Sequence, residues 1–324
     1  MNTAIRMEPR VAAVIGALVA DAASLGLHWL YDAERIAQIE KTKGLVFLPP
    51  CADDYAGVSG YFAHGKKQAG DSSAYGELCH LMLRHIARHG KFYRVDYQSE
   101  YRGYFGPGGG YQGYIDSPTR LTLQTLLPLK PEDFPLQSGA DDDQFAALAA
   151  LPAIVVTHQE SQDALNAKIE QVVRLTNHND TAVAAAQYTG CVLLAVVNGQ
   201  PIQQALADLL PYAGEKLRPL LEEALQAKTL DCAAAAKRFG NACHVPEGLP
   251  VIAHIANHAP DYRTAIEENI RIGGDSCGRS IMLGAIMAAH TAQQDSWNSV
   301  PLEWLGRLRK LMTAADACAR LLSQ

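Results

Sequence analysis

Ile272-Gly273-Gly274-Asp275-Ser276-Cys277-Gly278-Arg279-Ser280 runs without a break into Ile281-Met282-Leu283-Gly284-Ala285-Ile286-Met287-Ala288-Ala289. The second stretch reads as a helix of small and apolar residues, able to lie close against another helix, and the first is its entrance. Two glycines followed by a carboxylate at a helix entrance present backbone N–H groups and an acidic ligand at one point, which suits a metal ion or an anionic substrate. The plainer reading of the same residues is a tight turn before a packed helix.

The same helical texture recurs along the chain. Val11 to Ala23 is an Ala-rich small-residue helix, and Ser73 to Arg88 carries Leu78, Leu81, Leu83 and Ile86 on a helical repeat. Periodicity predicts further helices over 140–156, 161–176, 181–197, 202–210, 216–227, 249–257, 262–272, 280–292 and 302–322. No run of alternating β-branched residues is long enough for a sheet, so the fold class is all-α. Lys43 to Gln68 and Tyr101 to Leu129 are rich in Gly, Pro and Tyr and read as long, functional loops.

Composition limits the function classes. With 324 residues, 48% hydrophobic and 19% charged, the chain has ample material for a large buried core. A net charge of -6 without a Lys/Arg cluster excludes a nucleic-acid partner. No apolar run approaches the roughly 20 residues of a membrane span, and Met1 to Glu8 lacks a signal-peptide core, so a soluble cytoplasmic protein without a membrane partner is expected. Seven cysteines without regular spacing read as reduced, mostly buried thiols rather than a disulfide framework or zinc site.

Several short segments can carry chemistry. Asp21 is the one acid in the small-residue helix Gly16 to Gly26, and a carboxylate there is buried unless it faces a polar cavity. Gly70-Asp71-Ser72-Ser73 opens the next helix, as N-cap or as ligand set. Thr176-Asn177-His178 lies between two helices, where a histidine caps, packs or acts. Gly139-Ala140-Asp141-Asp142-Asp143-Gln144 is a solvated helix start, or else Asp143 and Gln144 face a polar substrate. In Tyr104 to Tyr114, Gly108, Gly109 and Gly110 let backbone N–H groups approach a pyrophosphate, and Tyr111 offers a stacking face.

In combination and order these segments resemble the ADP-ribosylglycohydrolase family. The resemblance rests on a G-x-x-x-[GA]-D-A helix at Gly16 to Ala22, the family's T-D-D-T position at Gly70 to Ser73, a T-H segment at Thr176 to His178, and the G-G-D-x-D-T position at Gly273 to Gly278. It spans nearly the whole chain and implies a single all-α domain over residues 1–324, with the site at helix ends. It also implies a small-molecule, ADP-ribose-like ligand and two magnesium ions held by the paired acids and threonines.

This chain departs from that pattern. Asp71 and Asp275 keep the first acid of each motif, but Ser72 and Cys277 stand where the second acids would be, and Gly70, Ser73 and Gly278 replace threonines. Magnesium requires hard oxygen ligands in near-octahedral geometry, so the expectation is a dinuclear site reduced to one weak ion on Asp71, Ser72 and Asp275, or lost. The His28-Trp29-Leu30-Tyr31-Asp32 segment is similar to a divergent branch that includes the J1 crystallins of jellyfish.

Three functions stay open at this level. One is a divergent hydrolase in which Asp71, Asp275 and Asp21 supply charge stabilisation and water activation without two metals. Another is a non-catalytic ligand-binding or crystallin-like structural protein. The third is a cysteine-dependent enzyme in which Cys277, beside Arg279 at a helix N-terminus, has a depressed pKa and takes His178 as its base.

Overall fold

The computed structural model describes residues 7–294 and 299–322, and the structural statements below concern those residues. Met1 to Arg6, part of the N-terminal stretch read above, lie outside them. The helices in chain order are α1 (Pro9–Ser24), α2 (Ala33–Lys43), α3 (Ala74–His89), α4 (Arg94–Phe105), α5 (Ser117–Leu126), α6 (Ala146–Ala149), α7 (Leu151–Val156), α8 (Gln162–Val173) and α9 (Asp180–Val197). They continue as α10 (Ile202–Asp208), α11 (Gly214–Gln226), α12 (Cys232–Phe239), α13 (Val245–His258), α14 (Tyr262–Arg271), α15 (Ser276–Gln293), α16 (Leu302–Leu305) and α17 (Leu311–Leu322). Short 3-10 turns and isolated β-bridges, but no strand, accompany them among the described residues, so the class is all-α.

Gly16 and Gly284 decide how the centre is assembled. α1 and α15 run antiparallel, so close that a Cβ on Gly16 would lie 2.3 Å from the Ala288 Cβ and one on Gly284 would lie 2.6 Å from the Ala20 Cβ. Small residues on both faces therefore permit backbone-to-backbone contact, and the two helices are buried along most of their length. The Tyr262 hydroxyl donates to the Gly16 carbonyl at 2.7 Å, and the Ser24 and Ser280 hydroxyls meet at 2.8 Å, so the polar groups inside this contact are satisfied. Around the pair, α3, α7, α9, α13 and α14 share one continuous apolar core.

The antiparallel arrangement positions the site. The C-terminal end of α1, carrying Asp21, lies beside the N-terminus of α15, capped by Asp275, and the N-terminus of α3, capped by Ser73. Two helix N-termini thus converge where three candidate acids or caps meet, a polarity that favours negative charge.

Local chemistry explains the departures from periodicity. α2, α4, α5 and α12 escape a reading based on apolar repeats. Asp32 and Asp116 start α2 and α5 by accepting from the backbone N–H groups of Arg35 and Thr119, so helix lies inside 101–129. The segment 140–156 turns helical only at Ala146, because Asp142 draws the Gln144 N–H into a local turn at 2.9 Å. α15 starts at Ser276, four residues before Ser280, since Asp275 caps it.

Contrary to the hydropathy reading, two helices are long and apolar enough by length and composition to cross a membrane, Pro9–Leu27 and Asp180–Val197. Their apolar windows are 89% and 67% buried inside the fold, which accounts for their hydropathy as core helices.

Candidate functional site

Gly273 and Gly274 take left-handed φ values of 70° and 68°, and side chains there would strike the Leu30 and Asn241 carbonyls at 2.5 and 2.1 Å. Glycine is required for this close approach. The turn is laced to the His28 segment by Trp29 N–H donating to the Gly274 carbonyl and Gly274 N–H to the Leu30 carbonyl, each at 2.8 Å. Trp29 itself sits at φ 64°, a backbone state that non-glycine residues seldom take. Arg279, fully buried, clamps the turn from behind through the Gly273 and Asn241 carbonyls and Asn269. It serves as a structural brace for the turn.

Held this way, Asp275 is inaccessible to water and both its oxygens are engaged. Oδ1 accepts from His28 Nε2 at 2.7 Å and Gly278 N–H at 3.0 Å, and Oδ2 accepts from the Tyr75 hydroxyl at 3.1 Å. Burial alone pushes its pKa up, but the His28 hydrogen bond and charge, with Arg279 and the Gly278 N–H, hold it below the ordinary carboxylate value. The network extends to His64, whose Nε2 lies 2.7 Å from His28 Nδ1 and whose own Nδ1 is buried without a hydrogen-bond partner. Burial and the neighbouring His28 push His64 down to about 2, so it is neutral. Asp116 sits within electrostatic range of Asp275 and is pushed up to about 6 by burial.

Asp71 forms a different arrangement. Its Oδ2 accepts the Gln68 N–H at 2.8 Å and its Oδ1 lies 3.2 Å from Arg309 Nε, with the carboxylate 27% exposed. Arg309 is delivered by the C-terminal segment, whose Arg309 N–H donates to the Gly70 carbonyl at 3.1 Å. Ser72 is buried with its hydroxyl unpartnered. Ser73 caps α3 and donates its hydroxyl and N–H to the two oxygens of Asp21. Asp21 is fully buried and burial pushes it up to about 7, with the Ser73 hydrogen bonds opposing. Nearby, Glu77 accepts from Lys310 and from the Tyr104 hydroxyl.

Cys277 departs from expectation. Its thiol is fully buried, 3.6 Å from the Asp21 carbonyl, and burial together with Asp21 and Asp275 raises its pKa well above the ordinary value. The helix N-terminus does not overcome this desolvation. His178 is exposed beside Arg174, so the structure does not pair it with that thiol. The Thr176-Asn177-His178 segment instead holds the 139–144 loop: His178 N–H donates to the Ala140 carbonyl, and Asn177 Nδ2 to the Asp142 and Gln144 carbonyls. Asp143 faces His244 Nδ1 at 2.5 Å, and Gln144 turns back onto Asp142. Among Gly108, Gly109, Gly110 and Tyr111, the tyrosine is buried, its hydroxyl on the Tyr114 carbonyl at 2.7 Å and Lys67 over its ring.

The residues at the two motifs do not fit a pair of magnesium ions. The two oxygens of Asp275, of Asp71 and of Asp21 already face protein donors, and a hydroxyl and a high-pKa thiol stand at the remaining places. Elsewhere, His85, His89 and Glu100 bring three ligand atoms within 4.8 Å and could hold a metal by spacing. There, however, His85 Nε2 accepts the Tyr93 N–H at 3.0 Å, which puts the ring proton on Nδ1 facing Glu100, and Arg88 binds the same carboxylate at 2.8 Å. That chemistry ties α3 to α4.

The sequence reading does not single out His64, Tyr75, Lys67 or Arg309, and it uses His28 only as a mark of resemblance. A half-buried Lys67 and the rare His-Trp pair are the signals available, and neither states its partner.

Comparison with known proteins agrees with the all-α fold. Residues 3–324 match the family described as ADP-ribosylglycohydrolase. Crystallin J1A of Tripedalia cystophora is 27% identical over 305 residues, covering 91% of this chain and 90% of that protein. Crystallin J1B of the same organism is 24% identical, covering 97% of each. A solved structure described as an ADP-ribosylglycohydrolase-related protein complex superposes with a TM-score of 0.70 at 16% identity, over 97% of both chains, and shares the fold. The chain belongs to the ADP-ribosylglycohydrolase family.

Proposed function

We propose that this chain is a metal-independent member of its family that binds a phosphorylated ribosyl ligand of the ADP-ribose type and does not use a magnesium-assisted hydrolysis. The observation that carries the reading is the engagement of Asp275 and Asp71 by His28, Tyr75, Gly278 N–H, Gln68 N–H and Arg309. A carboxylate whose lone pairs already meet protein donors has little left to offer a metal. Similarity to proteins named as crystallins supports a role without turnover. Seven free thiols suit a reducing, cytoplasmic setting.

The test is calorimetry with ADP-ribose in magnesium and in chelator, together with an assay for ADP-ribose release from ADP-ribosylated arginine and serine peptides. Equal binding in both buffers without release is the expected result. Binding and turnover that both require magnesium would overturn it.

One observation favours a second reading, hydrolysis without metal. Asp275 is held ionised while Asp21 is pushed up to about 7, and two carboxyls driven apart in this way are suited to separate charge-stabilising and proton-donating roles. Release that persists in chelator and is lost in Asp21→Asn would select it. The cysteine-dependent alternative predicts rapid alkylation of Cys277 in the native protein; the burial described above predicts none.

A further inference from the structure

Lys67 is half-buried, with its ammonium 4.5 Å from the centre of the Tyr111 ring. Its backbone N–H donates to the His64 carbonyl at 2.8 Å, but among the described residues its ammonium makes no hydrogen bond and no ion pair, although a charge withdrawn that far from water is ordinarily matched. The acids around it are already committed. Asp71 faces Arg309, Glu77 accepts from Lys310 and Tyr104, and Asp21 is bound by Ser73. Glu77, Asp71 and Asp21 attract it and Lys310 repels it, yet its ammonium is bonded to none of the three acids. Its stem is fixed as well: a Cβ on Gly113 would lie 2.9 Å from Lys67 Cε. His64, with its buried and unpartnered Nδ1, lies within electrostatic range.

We infer that Lys67, seated on the face of Tyr111, is the residue that binds a phosphate group of the ligand beside Asp71 and Glu77. The inference rests on the proposed phosphorylated ribosyl ligand and adds the protein charge that meets its negative end. The lysine ammonium acts as a point charge for phosphate oxygens, and the tyrosine face and Gly113 keep its flexible stem in place between ligands. Gly113 of the adjoining loop packs against the end of the lysine stem.

The experiment is magnesium-free calorimetry on the full chain and on Lys67→Met and Lys67→Arg, with ADP-ribose, pyrophosphate and adenosine as probes. Lys67→Met is expected to weaken ADP-ribose and pyrophosphate by about tenfold or more, and Lys67→Arg by no more than about threefold. Adenosine is expected to bind all three proteins alike. Thermal midpoints check that the variants fold, and protection of Lys67 from an N-hydroxysuccinimide ester by pyrophosphate provides a readout on the unaltered chain. Equal affinity of Lys67→Met and wild type for both phosphorylated probes overturns the inference while leaving the proposed function standing. Pyrophosphate binding that needs Lys67, without any ADP-ribose binding, keeps the inference and removes the proposed ligand. Failure of both probes to bind or to protect Lys67 removes both.

Discussion

Asp275 and Asp71 hold corresponding places in the two motifs, yet their surroundings share almost nothing. Asp275 lies out of reach of water, tied to an imidazole, a phenol and a backbone N–H, and its imidazole partner leads on to a second one. Asp71 is partly open and faces a guanidinium that is itself 54% exposed. A buried, hydrogen-bonded carboxylate costs much to strip of a partner because it stays desolvated, whereas an exposed pair is cheaply replaced by water. One half of the cleft is therefore a fixed part of the core, and the other is a surface contact made by an incoming segment.

The largest test of that contrast puts acids back at Ser72 and Cys277. Ser72→Asp with Cys277→Asp is expected to lower stability by at least about 5 kcal/mol in urea unfolding, since both positions are buried without a cation of their own. Magnesium should restore none of it, because Asp275 and Asp71 remain engaged; substantial rescue would show that the two halves can still close on metal.

His28→Ala comes next, at about 3 to 5 kcal/mol, by leaving Asp275 buried without its partner. Asp275 sits below its ordinary value, so its contribution is present above about pH 4 and fades only as pH falls through the lower, folded value. A loss under about 1 kcal/mol would mean that the imidazole is incidental.

pH separates the halves by sign. Asp21, moved from 3.8 to about 7, keeps a proton that the unfolded chain releases, so stability falls as pH rises across that window and is level above it. His64, moved from 6.5 to about 2, refuses a proton that the unfolded chain takes, so stability falls as pH drops below 6.5. Asp21→Asn should reduce the first slope, to which Asp116 also contributes, and His64→Gln the second, to which His80 also contributes, read from urea midpoints at successive pH values; a slope unchanged by either substitution would erase the distinction.

Smallest is Arg309→Ala, expected to cost under about 1 kcal/mol. A loss as large as that of His28→Ala would overturn the contrast from the other side.

The sequence makes the helices of the core legible because their information is local. Gly16 and Gly284 fall within small-residue repeats, and Asp275 and the serines at 72 and 73 carry the signature of helix starts. The site is legible only in part, because its decisive contacts join residues far apart in the chain: His28 reaches Asp275 across 247 positions. Periodicity reports which face of a helix is buried and says nothing of which distant donor will meet a buried carboxylate. The same limit explains Cys277. A thiol at a helix N-terminus beside an arginine reads as activated until the depth of burial is known, and here Arg279 is spent on carbonyls behind the turn.

The contact between α1 and α15 also sets an order of events during synthesis. α1 leaves the ribosome well before the surface it is shaped to fit, which arrives only with residues 276–293. Until then an apolar helix long enough by composition to pass for a membrane span lacks its main cover. Late completion of the central pair makes the nascent chain, rather than the finished fold, the state in which this protein is most exposed to aggregation or to capture by chaperones and membrane-targeting factors.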